Sequence, residues 1–181
     1  MAAQQSTIRD ARVGDLEAIF DIYNHEVLHG TATFDTEPRV VGRDDGWLTA
    51  RDANRHPVVI AEVDNRVAGW ASLNPWSSRK AYARTAEGSV YVHRQSRGRG
   101  VGRSLLAAII ERAREAGLGV MLARIAEANE PSVRLFEHFG FGHIGTQRRC
   151  GEKFGRVLDV ELMDVHLDGG PGPGGQLRGL G

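Results

Sequence analysis

Glycine and arginine alternate in Arg97-Gly98-Arg99-Gly100-Val101-Gly102, between an extended apolar run at Ser89 to Val92 and a helix-patterned run from Val101 to Ala116. Such a loop gathers backbone N–H groups at a helix N-terminus, where the dipole and the unpaired donors favour a phosphate. Arg103 adds charge beside it. Glu87 stands on the strand that leads into the loop, and a carboxylate there could take a proton from an amine, directly or through water. Each feature also has a plainer reading, a tight turn with solvated arginines and a solvated strand-end acid. Their surroundings decide.

The dinucleotide-binding pattern G-x-G-x-x-G needs a glycine where the chain has Arg103, and it follows the first strand of its unit. The string G-x-x-x-x-G-K-[ST] does not occur. What remains is Arg97-x-x-Gly100-x-Gly102. A rival chemistry lies in His25-Glu26-Val27-Leu28-His29, because H-E-x-x-H on a helix turns two zinc-binding imidazoles to one face with a glutamate base between them. Gly30 and a Thr-bearing loop follow at once, and spacing pins no third ligand. The plainer reading is two partly exposed histidines at a helix C-terminus, where the dipole favours their protonated form. No metal is expected, and a zinc hydrolase through His25, Glu26 and His29 is the remote alternative.

These residues need elements to hold them. Thr7 to Ala11 reads as a strand, and Leu16, Ile19, Phe20, Tyr23 and Val27 recur at helical spacing up to Gly30. A second helix is expected between Arg39 and Arg55. Val58 to Glu62 and Val67 to Leu73 form a hairpin around Asp64-Asn65-Arg66, followed by a loop from Asn74 to Tyr82. The Glu87 to Val92 strand, the glycine loop and a helix bearing Leu105, Leu106, Ile109, Ile110 and Ala113 come next, ended by Gly117 and Gly119. A strand at Val120 to Ile125, a short helix at Pro131 to Phe139, and strands at His143 to Arg149 and Val157 to Leu167, joined across Gly151 to Gly155, complete the order. The class is α/β, with a mixed, mostly antiparallel sheet flanked by helices. One domain over residues 7–167 is expected, with a flexible N-terminus (1–6) and a flexible Gly/Pro-rich tail (168–181).

Composition narrows the partners. Of 181 residues, 23 are Lys or Arg and 23 Asp or Glu, so no net field exists to hold nucleic acid or an anionic membrane. No apolar run reaches the ~20 residues of a membrane span and no secretory signal is visible, so a cytoplasmic protein is expected. A single cysteine, Cys150, excludes an internal disulfide, and its setting between Arg149 and Gly151 suits a turn or strand end better than a nucleophile.

The loop Arg97-x-x-Gly100-x-Gly102 resembles the pyrophosphate loop of the GNAT superfamily of acetyl-CoA-dependent N-acetyltransferases, and the element order is that of the GNAT fold. Asn129-x-x-Ser132 leading to Phe139-Gly140-Phe141 is similar to a second landmark of the family. Within it, Thr85-Ala86-Glu87-Gly88-Ser89-Val90-Tyr91-Val92, Lys153-Phe154-Gly155-Arg156-Val157-Leu158-Asp159 and Ile22-Tyr23-Asn24-His25 resemble T-V-E-x-S-V-Y-V, K-F-G-R-W-L-D and I-Y-N-H of phosphinothricin and methionine-sulfone N-acetyltransferases.

That resemblance implies acetyl transfer from acetyl-CoA to the amine of a small amino-acid-like acceptor, in a homodimer. It makes Glu87 the general base. It places Val90, Tyr91 and Val92 along the pantetheine, Arg97, Gly98, Arg99, Gly100, Val101, Gly102 and Arg103 around the pyrophosphate, and Asn129 and Ser132 at coenzyme A. It assigns the acceptor to Phe34, Ser77, Ser78, Arg79, Glu87, Gly88, Ser89 and Lys153. A peptide or protein amine, or acyl-CoA binding without catalysis, are the alternatives. The chain departs from the family at Ser77 and Ala83, where arginines are common, and Arg79 and Arg84 are candidates to clamp a substrate carboxylate in their place. Phe136 stands where many members have a tyrosine that protonates the leaving thiolate.

Overall fold

Period-two alternation in the strands and period-3.6 stripes in the helices divide the apolar residues between the two faces of one sheet. The computed structural model describes residues 6–126 and 129–169. The expected tails fall outside that span, apart from Ser6, Asp168 and Gly169. Strands β1 (Thr7–Asp10), β2 (Val58–Val63), β3 (Arg66–Pro75), β4 (Thr85–Val92), β5 (Val120–Ala126), β6 (Gly142–Lys153) and β7 (Arg156–His166) pair in the order β1-β2-β3-β4-β5-β7-β6. Every neighbouring pair is antiparallel except β4 with β5.

On one face α1 (Leu16–His29) buries Leu16, Ile19, Phe20, Tyr23 and Val27 against Val58, Ile60 and Trp70. On the other, α3 (Val101–Glu115) buries Leu105, Leu106, Ile109, Ile110 and Ala113 against Val59, Ala61, Ala71, Leu73, Met121 and Ala123, with Phe136 of α4 (Glu130–His138) beside them. Adjacent residues of β2 and β3 thus serve opposite cores, as the pleat requires. The α/β sheet, mostly antiparallel, is the one expected from the sequence.

Three local differences have physical causes. Between Arg39 and Arg55 only one α-helical turn forms, α2 (Gly46–Thr49). The Asp44 carboxylate takes the Val40 N–H at 2.7 Å and that of Asp45 takes the Gly42 N–H at 2.8 Å, capturing donors in turns before a helix can use them. The β6–β7 connection is only Phe154-Gly155, both at positive φ, so β6 runs on to Lys153. Strand β3 extends through Asn74 and Pro75, which sets Asn74 directly opposite Glu87.

The start of α1 is pinned from beneath. Arg9 on β1 donates to both oxygens of Asp15 at 2.8 and 2.9 Å and to Glu62 of β2 at 2.7 Å, and Asp15 also accepts the Arg12 N–H. The hydrogen bonds from Arg9 hold the Asp15 carboxyl below its ordinary range. A carboxyl with a depressed folded-state pKa stabilises the fold above its unfolded value of about 3.9 and loses that contribution as pH falls through the folded value. Asp15→Asn is therefore expected to cost about 1–3 kcal/mol at neutral pH. The gap from wild type, measured by urea melts, should close as the pH is taken below about 4.

Candidate active site

Strands β4 and β5 are hydrogen-bonded at only three positions, Thr85 with Val120, Ala86 with Met121 and Glu87 with Leu122. Beyond Glu87, β4 stays on β3 through Val92, while β5 stays on β7 through Ala126. The strands therefore part, and the edge of β4 from Gly88 on faces a wedge with no strand to satisfy its backbone groups. The wedge is lined by Gly88, Ser89, Val90, Tyr91, Ile125 and Ala126, and at its far side by Asn129, Ser132 and Phe136.

The glycine loop closes one end. After β4 the chain makes a 3-10 turn, Arg94–Ser96, before the loop, so the strand does not run straight into it. Gly98 and Gly100 sit at φ of 74° and 86°, which a side chain would strain, and Gly100 caps α3 without a side-chain acceptor. The first-turn N–H groups of α3 are left for an external anion. Gly102 serves packing, since a Cβ there would come within 3.3 Å of Leu135. Arg99 and Arg103 are exposed around the cradle. Arg97 instead braces the loop, donating to Glu26 of α1 at 2.5 Å and to the Val92 carbonyl at 3.3 Å. The Asn129 Oδ1 accepts the Ser132 N–H at 3.3 Å to cap α4, which leaves its amide hydrogens as donors at the wedge.

On the α1 side of the sheet lies a cavity of about 440 Å³. Ala32, Ser89, Tyr91, Arg124 and Ala126 line both this cavity and the wedge, so the two share a wall. Glu87 faces the cavity, with Arg124 of β5 donating to its two oxygens at 2.9 and 2.7 Å and lying 5.8 Å over the Trp76 ring. That bidentate pair raises the Arg124 pKa. Asn74 sits beside Glu87 with its Oδ1 taken by Arg51, whose pKa burial pulls down to about 10. Opposite, the Tyr23 hydroxyl bonds Thr33 and donates to Asp35 at 2.7 Å, and burial raises its pKa. Tyr91 stacks on Trp70 at 4.6 Å and donates to the Ala32 carbonyl. Behind it a hollow of about 120 Å³ is lined by Trp47, Trp70, Ser72 and Arg39 among others, and the buried Trp70 indole N–H has no partner among the described residues.

The structure thus brings Glu87, Ser89, Tyr91 and Phe34 to one cavity, and Gly88, Val90, Asn129 and Ser132 to the adjoining wedge. Val92 packs further along, near Gly102. Gly88 has no room for a Cβ, which would strike Met121. Ser77, Ser78 and Arg79 are outside the cavity. Trp76 is tied to Thr85 by its backbone, and the chain beyond it turns away into a loop where Ser78 and Arg79 are exposed. Arg84 is also elsewhere, bonded to Asp168 at 2.7 Å. Sequence reasoning missed Arg124, Asn74, Trp76 and the Thr33–Asp35 wall. A lone arginine inside the apolar run Val120 to Ala126 was the available signal for the first.

Lys153 is a strut. Only 4% exposed, it donates to the carbonyls of Glu26 at 3.1 Å and Thr33 at 2.7 Å, and burial lowers its pKa. It ties the β6–β7 hairpin to the end of α1 and to the loop that walls the cavity, while Phe34 of that loop lies on Gly151, where a Cβ would collide with its ring. Of the zinc pattern, His25 and His29 stand 5.0 Å apart, but Glu26 is committed to Arg97. Among the described residues no group of three or more His, Cys, Asp or Glu is gathered to hold a metal ion.

A phosphate cradle at one end of a wedge between parting parallel strands, with a carboxylate across the shared wall, defines an acyltransferase that uses a coenzyme A thioester. The profile of the Acetyltransferase (GNAT) family matches residues 16–141, and the chain belongs to that family. It is 41% identical to an L-methionine sulfoximine/L-methionine sulfone acetyltransferase of Salmonella typhimurium, over 90% of this chain and 95% of the relative. It is 38% identical to a phosphinothricin N-acetyltransferase of Streptomyces coelicolor, over 84% and 91%. The structure of yncA from Salmonella typhimurium with its cofactor acetyl-CoA superposes with a TM-score of 0.88 at 38% identity, covering 95% of this chain and 99% of that one. The chain is an acetyl-CoA-dependent N-acetyltransferase.

Lys153→Met should leave the Thr33 carbonyl without its Lys153 donor and that of Glu26 with the Gly30 N–H alone, and loosen the loop that walls the cavity. The expected cost is about 1–3 kcal/mol in stability and a several-fold rise in KM for the acceptor, with KM for acetyl-CoA unchanged, read by thermal melts and steady-state kinetics.

Proposed function

We propose that the chain acetylates the α-amino group of a small amino acid of the methionine sulfone, methionine sulfoximine or phosphinothricin type, with Glu87 as general base. The observation that carries this reading is the shared wall between the Glu87 cavity and the wedge, which lets an amine held at Glu87 meet a thioester lying along β4.

Glu87 takes a proton from the acceptor ammonium, directly or through water, because only the neutral amine is a nucleophile. The amine nitrogen then attacks the thioester carbonyl carbon, forming the C–N bond. An unpaired N–H on the wedge-facing edge of β4 stabilises the charge growing on the oxygen. The attacked nitrogen gives up its second proton to water as the C–S bond breaks, and coenzyme A leaves as thiolate and takes a proton from water, since Phe136 has none to give. Asn129, with the Gly98 to Arg103 cradle, holds coenzyme A in line. We extend the reading to a cytoplasmic protein of one domain over 7–167, and to a homodimer on the support of the exposed apolar residues Ile144, Phe154 and Val157 on the β6–β7 hairpin.

Thiol release from acetyl-CoA, screened over these amino acids, ordinary amino acids and peptide N-termini, tests it. Turnover confined to peptides overturns the reading. Glu87→Gln should lower kcat by about 100- to 1000-fold while cofactor affinity holds, and activity kept within a few-fold removes Glu87 as base.

A further inference from the structure

A general base already bonded at both oxygens poses a problem that the Proposed function leaves open. Arg124 occupies Glu87 through two short, charge-assisted hydrogen bonds of 2.9 and 2.7 Å. Among the residues lining the 440 Å³ cavity it is the single cationic side chain, beside two carboxylates, Glu87 and Asp35. The register explains the meeting. Glu87 pairs with Leu122, so Arg124 is the next β5 residue on the same face as Glu87, at the point where the strands begin to part. Arg124 is also the looser partner, its side chain 52% exposed against 16% for Glu87.

A simple alkylammonium approaching Glu87 would meet the Arg124 charge beside it, and like charges at contact distance repel. An α-amino acid brings its own carboxylate one carbon from its ammonium. Laid antiparallel on the Glu87–Arg124 pair, it sets its ammonium at Glu87 and its carboxylate at Arg124, so that four charges alternate around the group. The guanidinium fork, half-exposed and still carrying N–H groups not aimed at Glu87, can bind that carboxylate.

We propose that the Glu87–Arg124 ion pair is a receptor for the zwitterionic head of a free α-amino acid, and that Arg124 makes the α-carboxylate a condition of efficient acetylation. This rests on the reading of Glu87 as the base. Arg79 and Arg84, the sequence-based candidates for a carboxylate clamp, are outside the cavity, and Arg39 lies in the neighbouring hollow over Tyr23 and Trp47.

The test compares methionine sulfone with its decarboxylated amine and its carboxamide, in wild type, Arg124→Gln, Arg124→Lys and Arg39→Gln. Wild type should prefer the free acid. Arg124→Gln should lower kcat/KM for the acid by about 30- to 100-fold, mostly through KM, and raise it for the amine by removing the repelling charge, with partial rescue of the acid in Arg124→Lys. Equal losses on acid and amine would make Arg124 a mere prop for Glu87 and overturn the proposal. So would an unchanged preference in Arg124→Gln, or loss of preference in Arg39→Gln instead. Tryptophan emission, with Trp76→Phe as control, supplies a readout without turnover, because Arg124 lies over Trp76. Acid-dependent emission changes that vanish in Arg124→Gln support the receptor even if no acetylation follows, an outcome that would sink the acetyl-transfer reading alone. Turnover indifferent to the carboxylate sinks the receptor alone.

Discussion

Everything in the site depends on where β4 lets go of β5. Each of these strands is held along its length by an antiparallel partner on its other side, and the parallel contact between them lasts only from Thr85 to Glu87. Past that point the backbone of β4 keeps its polar groups but loses their acceptors and donors. A sheet interior ordinarily does not tolerate this, since each buried unsatisfied group costs about 1–3 kcal/mol. The open edge suits a partner that carries amide groups of its own. The same parting opens room on the α1 face for the Glu87 cavity, so wedge and cavity are products of one topological event.

Fixed elements then shape each side of the opening. The glycine-loop end is shaped by its backbone, with two glycines at positive φ feeding a helix that has no side-chain cap and Arg97 bracing the turn to Glu26. The Glu87 cavity is held by side chains instead. A stack of Trp47, Trp70, Tyr91 and Tyr23 supports its floor, and Lys153 reaches across from the last hairpin to hold its wall.

Much of the fold was legible in the chain. Helices α1 and α3 announced themselves by apolar residues at helical spacing, and the β2–β3 hairpin by its Asp64-Asn65 turn, where both residues adopt the positive φ expected of such a turn. The stretch from Arg39 to Arg55 misled because helical composition is indifferent to aspartates that capture backbone donors, an effect set by local conformation. The resemblance assigns Lys153 to the acceptor, and no local pattern announces that its ammonium donates to two carbonyls more than a hundred residues away in sequence.

By itself the sequence determined the elements, the anion-binding loop and the presence of a carboxylate on the strand before it, since propensity, glycine placement and alternation act over short stretches. Only the tertiary structure decided which arginine meets that carboxylate. Arg124 is separated from Glu87 by the whole of α3, and their contact follows from a three-residue parallel register that no local pattern encodes. Pairing across a sheet is set by the packing of both cores at once, so the chemistry of the acceptor site emerges with the fold.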